Sequence, residues 1–340
     1  MNRSIFKCLV SATALAAAAL VGVPAQAGPY SNLFVFGDSL SDNGNNFLAG
    51  AFDPNQVVTG NSYIPSYTYA SHVYSNGPVW ATYFASMLGV PLAPSAAGGG
   101  DFAFGGATTG GPVSFPYSLR TQTDLYLAGA LSHVAQADAL YVVAGGGNNA
   151  RAALALLGDP IANPGGVNSA AIIGAAALGF ATDVGFIVDE LQLAGAKHIV
   201  VWDTPNLGLA PAVAAGGPVA VGTASFLATT MNGALAARMA SETDVVTFDL
   251  FGFGTAVASN PAAFGFTNVA DACGQFANAN CAQYAYWDGI HPTTAAHRAL
   301  AGAMFTAAVP EPETYALLAL GLVAVALQAR RRAKPASLAA

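Results

Sequence analysis

Four short, continuous apolar runs constrain the fold of this chain more than any other feature. They occupy residues 32–36, 139–144, 198–202 and 245–249, and three of them end in polar or glycine-rich turns. Continuous apolar runs, without alternating polar residues, are typical of strands that are covered on both faces, as in a parallel sheet. We therefore predict four buried parallel strands.

Stretches with the spacing of amphipathic or buried helices separate these runs. They cover residues 80–88, 170–194, 223–241 and 293–307. Strands and helices that alternate along a chain predict βαβ units and a doubly wound α/β domain. Two long segments, 50–76 and 250–285, are polar or glycine-rich and aromatic, and we predict them to be loops over a site.

The N-terminus has the three parts of a secretory signal peptide. Arg3 and Lys7 precede an apolar stretch at 8–23, and residues 25–27 form an Ala-Gln-Ala cleavage site. We predict that residues 1–27 are removed on export. The alternative is an N-terminal membrane anchor.

The C-terminal segment, residues 309–340, also has three parts. The motif Pro-Glu-Pro at 310–312 precedes an apolar run and then three arginines at 330–332. This order resembles the PEP-CTERM sorting signal, which implies processing by an exosortase-type enzyme and transient inner-membrane anchoring through residues 315–329. The alternative is an ordinary C-terminal anchor. Either reading predicts an exported protein that is periplasmic, on the cell surface or extracellular.

The charged residues and cysteines restrict the partners. Eleven basic residues against 18 acidic ones argue against nucleic acid as a partner, because phosphate binding needs a basic surface. Cys273 and Cys281 remain after the leader is removed, and in an oxidising compartment we expect them to form a disulfide. No cluster of potential ligands and no phosphate-binding loop occurs, so we expect no metal and no cofactor.

Two short motifs carry residue types suited to nucleophilic catalysis. Gly37 permits a tight turn after the first strand, and Ser39 follows it at the edge where sites form in open α/β sheets. A serine hydroxyl needs a base that is oriented by a third group. Asp288 and His291, three residues apart before the last helix, provide that pair. Taken singly, each motif also fits an ordinary turn.

Together, four ordered blocks resemble the GDSL, or SGNH, family of serine esterases and lipases. The blocks are residues 36–42, 101–108, 146–149 and 287–292. The resemblance covers about residues 31–307, essentially the whole of the predicted hydrolase domain, 28–308. It implies a three-layer α/β/α sandwich with a central, mostly parallel sheet of flavodoxin-like type.

The resemblance also assigns roles to single residues. It implies that Ser39, Asp288 and His291 are catalytic, and that the oxyanion hole consists of Ser39, Gly106 and Asn148. Gly105 is an alternative to Gly106. The blocks depart from the family pattern at two positions. This chain has Asp101 where the family often has Asn, and Asn149 where the family commonly has Asp.

The implied function is hydrolysis of carboxylic esters, from small molecules or lipids, through a Ser-His-Asp mechanism and an acyl-enzyme. An alternative is an O-deacetylase that acts on extracellular polysaccharide and takes acetylated glycan as substrate. A less favoured alternative is a non-catalytic surface or matrix protein that retains the fold. The loop tyrosines are interpreted either as contacts to sugar or acyl groups or as simple loop packing; they are Tyr63, Tyr67, Tyr69 and Tyr74.

Overall fold

The structure is a computed structural model that describes residues 29–111, 113–129, 134–309, 320–323 and 325. The signal peptide predicted at 1–27 lies outside the described residues, as does most of the sorting segment predicted at 309–340.

A parallel sheet forms the centre of the domain. Its strands stand in the order β1-β2-β3-β4, and every neighbouring pair is parallel. The strands are β1 (Leu33–Gly37), β2 (Leu140–Ala144), β3 (His198–Trp202) and β4 (Val245–Phe248). All four predicted strands are thus confirmed, each displaced by no more than one residue at either end.

A short piece of chain extends the sheet beyond β1. The Val35 N–H donates to the Gly100 carbonyl at 3.0 Å, and the Phe102 N–H donates to the Val35 carbonyl at 2.8 Å. Val35 and Asp101 form a parallel bridge. After β1 the chain therefore continues to the piece around Asp101 on one side, and after β2 it continues to β3 on the other. A topological switch point lies between the carboxyl ends of β1 and β2.

Helices cover both faces of the sheet. The helices are α1 (Asn45–Leu48), α2 (Trp80–Leu88), α3 (Leu119–Gly129), α4 (Gly147–Gly158), α5 (Ser169–Leu193), α6 (Pro211–Ala214), α7 (Gly217–Met239), α8 (Leu250–Ser259) and α9 (Thr294–Ala308). Side chains of α2 and α9 pack into one core cluster, and those of α3, α4, α5 and α7 pack into another.

The alternation of side chains along β2 shows how the two clusters meet the sheet. Leu140 and Val142 point into the cluster of α2 and α9, whereas Tyr141 and Val143 point into the opposite cluster. Because successive strand residues face opposite sides, a strand buried on both sides must be apolar throughout. The α/β/α sandwich predicted from the sequence is therefore confirmed.

The segment 250–285 is not one long loop, and that prediction was wrong. It contains α8 and two short parallel strands, β5 (Asn268–Ala272) and β6 (Tyr284–Tyr286). Gly252 and Gly254 lower the helix propensity of α8, but Asp249 caps its start by accepting from the Gly252 N–H. Tertiary packing and the cap outweigh the weak local signal.

Two helices, α5 and α7, are long and apolar enough to span a membrane by length and composition alone. Both pack against each other and against the sheet instead. Phe180 and Ile187 of α5 and Leu227 and Met231 of α7 are fully buried in the core. One face of each helix is thus a core face of the domain.

We expect Leu191→Ala to lower the free energy of unfolding by about 2–5 kcal/mol, because it leaves a cavity in the core. Leu191 of α5 is fully buried, whereas Leu178 of the same helix is 68% exposed. Leu178→Ala is the matched control and should change stability by no more than about 0.5 kcal/mol. Urea unfolding of both variants tests this, and equal losses would contradict the assigned core face.

Candidate active site

Ser39 lies just beyond β1, at the switch point. Gly37 precedes it, and a Cβ atom there would lie 2.8 Å from the Ser41 Oγ and 2.9 Å from the Ala144 carbonyl oxygen. Only glycine fits so close an approach. The Gln122 amide then clamps both backbone groups of Gly37, accepting from its N–H at 2.8 Å and donating to its carbonyl at 2.9 Å. The turn that carries Ser39 is therefore fixed from two sides.

Asp288 and His291 lie in the turn before α9. Asp288 Oδ1 accepts from the Ile290 N–H at 2.9 Å and from the His291 N–H at 2.8 Å. The sequence spacing of three residues brings the side chains together as well, since His291 Nδ1 lies 2.8 Å from Asp288 Oδ2. Because a carboxylate only accepts hydrogen bonds, Nδ1 carries the proton in this contact.

The imidazole joins this turn to Ser39. His291 Nε2 lies 2.8 Å from the Ser39 Oγ, across 252 residues of sequence. Asp288 is fully buried and His291 is 3% exposed. With the Nδ1 proton held by Asp288, Nε2 has its lone pair free toward the hydroxyl. The arrangement can remove a proton from Ser39.

The loop after residue 101 presents a backbone donor beside this group. Asp42 accepts from the Gly105 N–H at 2.9 Å, which occupies that group. Gly106 is exposed and has a φ of +86°. Within the part of the chain that the structure describes, the N–H groups of Gly106 and Ser39 have no acceptor. Of the two glycines, Gly106 is the one that can donate to a ligand.

Asn148 follows β2 at the start of α4, on the other side of the switch point. Its Nδ2 donates to the Ala107 carbonyl at 2.8 Å, and its Oδ1 accepts from Arg151 Nη1 at 3.1 Å. These bonds fix the plane of the amide and use one of the two Nδ2 hydrogens. The second hydrogen is available to a ligand.

The two positions that depart from the family pattern support the same loop. Asp101 is fully buried and accepts from the N–H groups of Asn43 and Ala103 at 3.1 and 2.9 Å. Asn149 accepts from the Thr109 N–H at 3.0 Å and donates to its hydroxyl at 2.9 Å. Both residues hold the backbone on either side of Gly106. Neither contacts Ser39, His291 or Asp288, whose side chains form a hydrogen-bonded line.

Asp38 and Arg151 set the local charge. Burial raises the pKa of the Asp38 carboxyl from 3.8 to about 6, although the Leu40 N–H, His291 and Arg151 oppose this effect. Burial also lowers the pKa of Arg151, against the attraction of Asp38 and Asp288. The sequence analysis missed Arg151. Its only signal was its position three residues after Asn148, one helical turn along α4.

An apolar cavity of about 160 Å³ opens beside Ser39 and His291. Its walls come mainly from α8 and from the segments around α6 and β5. The apolar side chains lining it include Leu209, Val213, Leu250, Phe253, Val257 and Phe266. Arg151 and Asn148 lie at its polar end. The site can therefore hold a substrate with an apolar part next to a polar reacting group.

The remaining candidate residues lie outside this site or support it. Cys273 and Cys281 are bonded, with Cα atoms 5.6 Å apart. Tyr69 and Tyr74 are buried, which favours packing over sugar contacts for these two. Among the described residues, no group of three or more His, Cys, Asp or Glu side chains could hold a metal ion.

We expect Asp38→Asn to change the pH dependence of stability. The folded-state pKa of Asp38 is about 6, so the unfolded chain loses this proton at lower pH than the folded chain does. Ionisation of Asp38 therefore opposes folding. It lowers the free energy of unfolding by up to ~3 kcal/mol as pH rises from about 4 to about 7. The variant should gain stability relative to wild type between about pH 4 and pH 7. Urea unfolding across this range measures the difference, and a constant difference would contradict the assignment.

Comparison with known proteins places this geometry in a family. A model of the GDSL-like lipase/acylhydrolase family matches residues 33–304. The PEP-CTERM protein-sorting motif matches residues 308–332, which implies export to the cell envelope or surface and processing by an exosortase.

One similar protein is Lipase 1 of Photorhabdus luminescens, 31% identical over 186 residues. The match covers 54% of this chain and 24% of that lipase, so the chain spans about a quarter of its relative's length. The family model, by contrast, covers most of the chain from β1 to α9. The chain belongs to the GDSL-like lipase/acylhydrolase family, whose members hydrolyse ester bonds.

Proposed function

We propose that this protein is a serine esterase or lipase that cleaves carboxylic esters through an acyl-enzyme on Ser39. The observation that carries the proposal is the hydrogen-bonded line from Ser39 through His291 to Asp288, with both contacts at 2.8 Å. A nucleophile, its base and an orienting carboxylate in this geometry are what acyl transfer requires.

Acylation begins with proton transfer. His291 Nε2 takes the Ser39 proton while Oγ attacks the ester carbonyl carbon. Asp288 keeps the Nδ1 proton in place and stabilises the imidazolium that forms. The carboxylate is fully buried, and a buried charge interacts more strongly with a neighbouring cation than an exposed one does. The imidazolium then gives its proton to the departing alcohol.

The negative charge on the carbonyl oxygen needs donors that are already in position. The Ser39 and Gly106 N–H groups and the free Nδ2 hydrogen of Asn148 would supply three. Each is held by a neighbour: Gln122 fixes the Ser39 turn, Asp42 fixes the residue before Gly106, and the Ala107 carbonyl fixes the Asn148 amide. Donors that need no reorganisation contribute most to stabilising the transition state.

Deacylation repeats the same chemistry with water. His291 removes a proton from a water molecule that attacks the acyl carbonyl, and the proton returns to Ser39 Oγ as the acid leaves. The same oxyanion donors serve this second tetrahedral intermediate. No group beyond the side chains and backbone already named is needed for either half-reaction.

The apolar cavity supports an acyl chain longer than acetyl. An acetyl group carries one methyl beyond the carbonyl and would leave a cavity of about 160 Å³ largely unfilled. Each buried methylene contributes about 0.8 kcal/mol, so longer acyl groups gain binding energy there. The similar protein from Photorhabdus luminescens is named a lipase, which agrees with this preference. We therefore favour acyl esters over acetylated glycan.

We also propose the division of the chain. Residues 1–27 would be removed as a signal peptide, 28–308 would form the hydrolase domain, and 309–340 would direct sorting. Residues 315–329 would anchor the protein transiently in the inner membrane until an exosortase cleaves near the motif at 310–312.

Covalent labelling with a serine-directed phosphonate tests the nucleophile. We expect the wild-type protein to be labelled on the peptide containing Ser39, and Ser39→Ala to lose both labelling and ester hydrolysis while it folds normally. Ser86→Ala, at an exposed serine on α2, is the matched control and should behave as wild type. Labelling at another serine, or esterase activity that survives in Ser39→Ala, would refute the proposal.

Asn148→Ala tests the oxyanion hole. We expect kcat to fall roughly 10²–10³-fold, because one donor to the transition state is lost. KM should change little, since the interaction strengthens only as charge develops. Steady-state kinetics on a short acyl ester provide the measurement. An unchanged kcat in a folded variant would remove Asn148 from this role.

A series at Gly254 tests the acyl cavity. A Cβ added there would contact only Leu209 Cδ1, at 3.8 Å, so larger side chains at 254 take up cavity space. We expect Gly254→Ala to keep the wild-type profile, and Gly254→Val and Gly254→Leu to shift the preference stepwise toward shorter acyl chains. Rates on acetyl, butyryl, octanoyl and palmitoyl esters of one alcohol provide the readout.

Two outcomes of that comparison would count against an acyl cavity. A chain-length profile that stays the same in all three variants would show that the cavity does not hold the acyl group. Rapid release of acetate from acetylated polysaccharide, without cleavage of octanoyl esters, would favour the O-deacetylase alternative.

A further inference from the structure

Tyr69 contacts the buried carboxylate of the hydrogen-bonded line. It lies in the long segment between α1 and α2, and its hydroxyl donates to Asp288 Oδ2 at 2.8 Å. The same oxygen lies 2.8 Å from His291 Nδ1. Tyr69 is 3% exposed and does not line the apolar cavity. Tyr69 therefore contacts Asp288, the partner of the base His291, and not the expected position of the substrate.

The contact completes the hydrogen bonding of Asp288. The N–H groups of Ile290 and His291 donate to Oδ1. Oδ2 has two further donors, His291 Nδ1 and the Tyr69 hydroxyl. A fully buried carboxylate has no water to satisfy its charge, and each missing donor costs stability of the ionised form. The hydroxyl also restricts rotation of the carboxylate, because both oxygens then have fixed donors.

Tyr69 is itself held in place. Its ring packs edge-on against Trp287, with centroids 5.6 Å apart and planes at 81°. Val58, Ala272 and Tyr63 pack in the same small cluster. Burial raises the pKa of the Tyr69 hydroxyl, and the nearby Asp288 charge raises it further. The hydroxyl thus remains a donor throughout the pH range in which an esterase is assayed.

The rest of the same segment contacts the residues that follow Asp288. The Tyr74 ring lies 5.4 Å from the His291 ring, and the Ser75 hydroxyl donates to the Pro292 carbonyl at 2.8 Å. Residues 69–75 therefore bind the turn that carries the base at three successive points. This part of the segment predicted to be a loop over a site therefore supports the turn that carries His291.

We propose that Tyr69 is a positioning residue for ester hydrolysis, whose hydroxyl holds Asp288 Oδ2 against His291 Nδ1. The proposal rests on the proposed function. It requires that Tyr69 act on catalysis through Asp288 and not through substrate binding or general stability.

Tyr69→Phe removes only the hydroxyl, and Tyr63→Phe is its matched control. Tyr63 packs in the same cluster, and its hydroxyl makes no hydrogen bond to the described residues. We expect Tyr69→Phe to lower kcat roughly 10- to 100-fold, the range for a hydrogen bond to a charged group, with KM unchanged. Tyr63→Phe should keep wild-type kinetics.

The pH profile separates positioning from a structural role. Without the hydroxyl, the full charge of Asp288 acts on the imidazole and favours its protonated form, so the acid limb of kcat/KM should move to higher pH. The other titratable or charged groups that face this pair are Asp38, Tyr63, Tyr74, Arg151 and His297. All of them are kept in Tyr69→Phe, so the shift reports the lost hydroxyl.

A double-mutant cycle with Asp288→Ala tests the route of the effect. Tyr69→Phe should cause no further loss of kcat in the Asp288→Ala background, because the contact is already gone. An equal loss in both backgrounds, or a wild-type pH profile and kcat in Tyr69→Phe, would overturn the inference. Wild-type protein that neither hydrolyses esters nor reacts with the phosphonate at Ser39 would instead refute the proposed function.

Discussion

The parallel pairing of β1 with β2 decides where chemistry can occur in this domain. Gly37 pairs with Ala144 at the carboxyl ends of the two strands, and the chain then leaves in opposite directions. The gap between the departing segments holds Ser39 on one side and Asn148 on the other. The proposed nucleophile and a proposed oxyanion donor thus become neighbours because of strand register, even though about a hundred residues separate them in sequence.

The base comes to the same gap by a different route. The turn before α9 is fixed internally by Asp288 Oδ1, and externally by the segment 69–75 and by the packing of α9 against α2. This matters because the hydroxyl, imidazole and carboxylate must lie within hydrogen-bond reach of one another to transfer a proton. Burial removes water that would otherwise compete for the carboxylate and the imidazole. The dense network of backbone donors offsets the cost of that burial.

The strands and three of the four predicted helices followed closely from the sequence, since continuous apolar runs and helical periodicity report burial directly. Ser39, Asp288 and His291 were predicted from two short motifs, each of which also fits an ordinary turn, and their roles were implied by the resemblance of four ordered blocks to the GDSL family. Arg151 had only its spacing from Asn148 as a signal, Asp42 lay in the first block without an assigned role, and Tyr69 was one of four loop tyrosines. Each acts through a contact made by tertiary structure, and a single Tyr in an aromatic loop is indistinguishable from a surface one. The choice of Gly106 over Gly105 likewise depends on which N–H Asp42 already occupies.

The apolar cavity and the line from Ser39 to Asp288 are built mostly from different parts of the domain. The line depends on the sheet and on the turn before α9, whereas the cavity is lined mainly by α8 and by the segments around α6, β5 and β6, with Ala296 and Leu300 of α9 also lining it. Changes in these peripheral elements can alter cavity size without moving β1, β2 or the turn at 288–291. Under the proposed function, acyl preference would be set by these elements outside the central sheet. The repeating strand–helix pattern of the sequence predicts the fold and carries no information about chain length.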